Sequence, residues 1–107
     1  MDIQFPDNVW SLFYSGRAKA VIFAGVRDCG IGPGHAVNAT GQSRREAIIV
    51  TRVSYTFVET LQPEDAGNCG WLGANEITNE LLRQKPDLKG ADPVTLVYFE
   101  RNMKDRG

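Results

Sequence analysis

The stretch RDCGIGPGH, Arg27 to His35, brings three glycines together with a cysteine and the only histidine in the chain. Three readings fit those residue types. A phosphate loop would need a helix after the glycines and a closing Lys followed by Ser or Thr. HAVNAT follows instead, a strand-like run, and no Gly-Lys-Ser/Thr occurs, so that chemistry is excluded. A thiol nucleophile would pair Cys29 with His35 as its base, with Arg27 lowering the thiol pKa. A plain reversal would use GPGH for the positive-φ positions that a tight turn wants. Nearness in sequence supplies no catalytic geometry, so the reversal is preferred. GPGH is then a turn between two strands, and of this stretch only Arg27 remains a site candidate.

Two further stretches carry candidate chemistry. In SGRAKAVIFAGVRD, Arg17, Lys19 and Arg27 flank an apolar run, and Arg44 and Arg45 follow in a later polar turn. Cations gathered at strand ends can hold a phosphate or polarise a carbonyl, the alternative being solvated turn charges. In NCGW, Trp71 could stack on a nucleobase or pack in the core. Cys69 beside it could act as a nucleophile or as a small inert hydrophobe. Two cysteines and one histidine fall short of a four-ligand zinc set, so no metal and no cofactor is expected.

These residues must be positioned by a modest fold. At 107 residues the chain is long enough for one domain and too short for two, with residues 102–107 expected as a polar tail. A net charge of −1 argues against a generally sticky nucleic-acid binder and leaves room for a local basic cleft. No apolar run approaches the ~20 residues that cross a bilayer, so no membrane partner is expected. MDIQFPDN does not read as a signal peptide, and two cysteines do not make a disulfide scaffold, so a cytoplasmic location is expected.

The patterning predicts a short strand at IQF and a helix over PDNVWSLFYSG, with Pro6 and Asp7 at its start and Gly16 as its stop. Strands follow at Ala18–Gly25, at HAVNAT and at EAIIVTRVSYTFVET, the last with both faces mixed, as in strands of small barrels. A short helix opens at Pro63 with Glu64 and Asp65 in its first turn. A second, capped by Asn75, shows an Ile77, Leu81, Leu82 stripe, and VTLVYFER closes the domain as a strand. Helices do not alternate strictly with strands. The fold class is therefore α+β, built on a small curved sheet or barrel of about five strands with two to three helices.

In this order, four segments resemble the ASCH domain family, whose fold is PUA-like. FYSGRAK resembles its helix end and "sGrKt" signature, and GPGHAVNA its "kpGD" turn and strand. LQPEDAGNCGWLGANEITNELLRQ resembles its helical segment, and KPDLKGADPVTLVYFER its closing strand. The resemblance implies a small barrel with helices at its mouth and a cleft for RNA, a nucleotide or a modified nucleobase. Small relatives of this kind remove the acetyl group from acetylcytidine, using a lysine and a threonine of the signature strand and a glutamate before the helical turn; others are described as ribonucleases. Aligned without a gap, Ala18 falls at the lysine and Val21 at the threonine. One inserted residue brings Lys19 to the lysine and Ile22 to the threonine. Cys69 falls at the glutamate and His35 at the turn aspartate. The resemblance thus implies binding of RNA or a nucleotide by Arg17, Lys19, Arg27 and Trp71. The alternatives are a divergent amidohydrolase using Lys19 and Cys69, and a protein-interaction module on the same fold.

Overall fold

The computed structural model describes residues 2–5, 7–38, 45–70 and 74–101. The chain runs β1 (Asp2–Phe5), α1 (Asp7–Tyr14), β2 (Ala20–Ala24), β3 (Gly32–Asn38), β4 (Arg45–Phe57), a 3-10 turn (Val58–Thr60), α2 (Pro63–Asn68), α3 (Ala74–Gln84) and β5 (Pro93–Arg101). The five strands form one sheet in the order β1-β3-β4-β5-β2. β1 pairs with β3 in parallel, and the other neighbours are antiparallel. The expected α+β domain of five strands and three helices is therefore present. The sheet curls as expected but does not close: β1 and β2 are its two edges.

Two apolar clusters hold this sheet. The first covers one face with Ile3, Phe5, Val21, Phe23, Ala36, Ile48, Val50, Val97 and Phe99, packed with Val9, Trp10 and Phe13 of α1. Phe5, Phe13 and Phe99 meet with ring centroids 5.1–5.4 Å apart, tilted or edge-on as aromatic quadrupoles prefer. The second cluster lies on the opposite face, where Ala20, Ile22, Val94 and Leu96 meet Ala66 and Cys69 near α2 and Ile77 and Leu81 of α3. β2 and β5 are thus buried on both faces, which is why they read as continuous apolar runs.

The mixed faces of β4 have a local cause. Its register against β5 slips between Val50 and Arg52, leaving Thr51 as a one-residue bulge. Strand parity inverts there: Ile48 and Val50 face the first cluster before the bulge, and Val53 packs on it after.

Several expectations change. GPGH is not the turn: Gly32 to His35 already belong to β3, and only Gly32 of the four has positive φ, at 123°. Pro33 is tolerated because β1 begins opposite His35, so β3 is still an edge at that point. The reversal lies upstream, where Thr95 accepts the Arg27 N–H at 2.9 Å and donates to the Gly25 carbonyl at 2.8 Å. His35 is an exposed strand residue rather than a turn residue. Arg45 starts β4 and pairs with Asp2 at 2.8 Å, while Arg44, Pro6 and the polar turn before Arg45 lie outside the described residues. Asn75 sits inside α3 rather than capping it, and Leu82 is exposed while Ile77 and Leu81 are buried.

The inner face of α3 also carries two polar residues that the apolar stripe did not reveal. Gln84 reaches the open edge of β2, accepting the Ala24 N–H at 2.9 Å and donating to the Ile22 carbonyl at 3.1 Å. Buried Glu80 accepts from Gln84 at 2.9 Å and from Arg83 at 2.7 Å, which holds the amide in place. The side chain substitutes for a neighbouring strand and protects the edge.

Candidate functional site

The α1–β2 connection is built by a helix stop. Gly16, at φ 82°, ends α1, and the Arg17 and Ala18 N–H groups fold back onto the Leu12 carbonyl at 3.0 and 3.1 Å. The next residue is locked from both sides: the Lys19 N–H donates to Asn68 at 2.7 Å, and the Lys19 carbonyl accepts from Phe99 at 3.1 Å. Gly70, at φ 87°, lies so close to this segment that a Cβ there would meet Ala18 N and Arg17 C at 3.3 Å. The GRAK and NCG segments, far apart in sequence, are therefore held backbone to backbone.

Lys19 opens onto a cavity of about 490 Å³ lined by Phe13, Gly16, Ala18, Thr51, Tyr98, Phe99, Glu100 and Arg101. The bulge helps to shape it, since Thr51 donates its hydroxyl to the Tyr98 carbonyl at 3.4 Å. Arg52 stacks 4.0 Å over the Tyr98 ring. Arg101 braces the wall: it donates to the Tyr14 carbonyl at 3.2 Å, stands 5.3 Å from both the Phe13 and Tyr14 rings, and pairs with Glu46 at 3.5 Å. Lys19 is exposed and forms no ion pair among the described residues, so its charge is available to a ligand. Arg17, also exposed, precedes it in the same connection.

Arg27 is elsewhere. It lies past the far end of β2, which at ~3.3 Å per residue puts it roughly 15–20 Å from Lys19 along the strand. Its guanidinium covers the Phe23 ring at 4.7 Å, and it lines a separate cavity of about 230 Å³ with Asp2, Ile3, Gln4, Phe23 and Cys29. Lys19 and Arg27 therefore do not share a pocket. Burial raises the Cys29 thiol pKa, Arg27 opposes this and Asp28 adds to it, so the thiol is not activated.

Cys69 is placed in the second apolar cluster, fully buried. Burial, with Asp65 nearby, pushes its thiol up from 9.0 to about 12, so at neutral pH it is a protonated core residue. Both positions that the alignments give to the family threonine are equally apolar: Val21 and Ile22 are each buried, in the first and second cluster. Trp71 lies outside the described residues. Sequence reasoning found Lys19 and missed Thr51, Arg52, Tyr98 and Arg101. Only Arg52 left a trace, as a cation within a β-rich run; the rest are assembled by a bulge and by the end of β5, which no local pattern announces.

No protein-family model and no curated protein matches the sequence. Solved structures do match it in fold. An ASCH domain from Lactobacillus crispatus superposes with a TM-score of 0.67 at 16% identity, over 89% of this chain and 70% of that one. A protein from Enterococcus faecalis assigned to DUF984 superposes with a TM-score of 0.68 at 17% identity, over 100% of this chain and 82% of that one. The chain has the ASCH-domain fold.

Proposed function

We propose that the chain is a member of the ASCH family that binds RNA or a nucleotide in the Lys19 cavity. The observation that carries this reading is an exposed ammonium without an ion-pair partner among the described residues, on the rim of a cavity of about 490 Å³. Arg17 and Arg52 add positive charge beside it, while in the wall itself Arg101 is paired with Glu46 and Glu100 is the lining carboxylate. Phosphate oxygens would meet Lys19 and the guanidinium groups, and the half-buried Tyr98 ring would offer a flat apolar surface to a base. Arg27 and its separate cavity are not required by this reading.

The test is a titration of short single-stranded RNA and of nucleotides, followed by fluorescence anisotropy at low and moderate salt. Affinity is expected to fall with salt, and Lys19→Ala is expected to weaken binding and flatten the salt slope by about one unit. Absence of binding at low salt, or binding indifferent to Lys19, would overturn the proposal. An amidohydrolase would also need a group to activate water or attack the amide. The family's threonine and glutamate positions hold buried Val21 or Ile22 and buried Cys69, so incubation with acetylcytidine is expected to release no cytidine above buffer.

A further inference from the structure

β4 is longer than its neighbour on one side. β3 pairs with it only up to Val50, opposite Gly32, whereas β5 accompanies it to Phe57. From Thr51 to Phe57 the strand therefore has a strand partner on one edge only, among the described residues. The direction of its backbone groups follows from the ends of the ladder. Val58 donates its N–H to Asp92 on the β5 side, so the even-numbered residues face β5 and the odd-numbered ones face outward. Phe57 agrees, since its outward N–H is taken by the Thr60 hydroxyl at 3.1 Å. The outward N–H and carbonyl groups of Val53 and Tyr55 receive no partner among the described residues.

The other exposed edges are defended, and this one is not. β2 is covered by Gln84, and β1 is only four residues long. The connection from β2 to β3 does not take the open groups of β4. It crosses the face of the first cluster, where the Arg27 N–H goes to Thr95 and the Arg27 carbonyl accepts from the Tyr55 hydroxyl at 2.9 Å. That crossing also leaves a rim of apolar surface beside the edge: Val26 is 68% exposed, Ile31 65%, Tyr55 52% and Phe57 51%.

We propose that this half of β4 pairs antiparallel with the same segment of a second copy, Val53 opposite the partner's Tyr55 and Ser54 opposite the partner's Ser54. This register uses all four open groups of each chain in hydrogen-bonded pairs, which neither neighbouring register does, because one calls on the bulged Thr51 and the other on the occupied Phe57 N–H. It is also self-complementary in side chains. Val53 meets an aromatic ring, a favoured cross-strand pair, and Arg52 falls opposite a threonine rather than a like charge. The arrangement is isologous and closes as a two-fold dimer with one sheet running through both chains.

The experiment is sedimentation equilibrium of the full chain, free of nucleic acid, over a concentration series. A monomer–dimer equilibrium is expected. Ser54→Lys and Ser54→Glu each put like charges together on the two-fold axis, and each variant alone is expected to stay monomeric. An equimolar mixture of the two is expected to recover the dimer mass, which also shows that both variants fold. A wild-type chain that stays monomeric, a dimer that survives either substitution, or a mixture that fails to associate would overturn the proposal. None of these readouts depends on RNA or nucleotide binding.

Discussion

At the scale of single residues, the two cysteines illustrate how environment decides chemistry. Cys69 occupies the sequence position where the resemblance calls for a carboxylate, yet its thiol is held protonated by burial. Its folded pKa is raised above the ordinary 9.0, so the stabilisation is fully present below pH 9 and is lost as pH climbs toward about 12. Denaturation midpoints are expected to fall above pH 9, and less steeply in Cys69→Ala. Iodoacetamide at pH 8 is expected to leave Cys69 unmodified in the native protein and to modify it once denaturant is added, as mass spectrometry of the peptides would show. Lys19 is the opposite case. It was legible as a candidate because it is a cation next to an apolar run, and the structure keeps it exposed. Arg27 looked equivalent in sequence, but a β-strand separates the ends of its residues in space, and the two cations lie at opposite ends of β2.

At the scale of elements, a helix stop and a close backbone contact position the candidate site, and a side chain that imitates a strand protects the edge of β2. Gly70 can adopt φ 87° and approach Ala18 and Arg17 because it has no Cβ. Gly70→Ala is expected to destabilise the fold by about 1–3 kcal/mol through strain at this φ. It should also weaken ligand binding, since the displaced segment carries Lys19; thermal denaturation and the anisotropy titration read the two effects. Gln84→Ala leaves the Ala24 N–H and Ile22 carbonyl without their partner and removes one donor to buried Glu80. A loss of about 1–3 kcal/mol in urea denaturation is expected from unsatisfied part-buried groups. Gln84→Glu keeps the length but not the donor, and should not rescue. The order and type of the elements were readable from apolar periodicity and from glycine and proline punctuation. The start of β3 was not, because a GPGH sequence that suits a turn is also compatible with a strand edge that lacks a neighbour.

At the scale of the molecule, the two apolar clusters share β2 and β5, so packing on one face supports the other. Phe13 is fully buried between Phe5 and Phe99, and Phe13→Ala is expected to cost about 3–5 kcal/mol. Because the clusters are joined through common strands, a single transition is expected, with far-ultraviolet circular dichroism and intrinsic fluorescence changing together. Two separated transitions would show that the α2–α3 side folds on its own. The same architecture explains why the cavity sits where it does. β5 outlasts β2, the α1–β2 connection passes over its end, and the bulge in β4 brings Thr51 to the rim.

The amino-acid sequence by itself determined the α+β class, the number and order of strands and helices, and Lys19 as a cation poised at a strand end. These depend on period, punctuation and local propensity, which act over a few residues. Only the tertiary structure decided that the sheet stays open, that Lys19 and Arg27 part company, that Cys69 is core, and that Tyr98 and Arg101 line the cavity with Arg52 stacked on Tyr98. Those outcomes depend on strand register, on one bulged residue and on which strand outruns its neighbour, and no stretch of sequence encodes them alone.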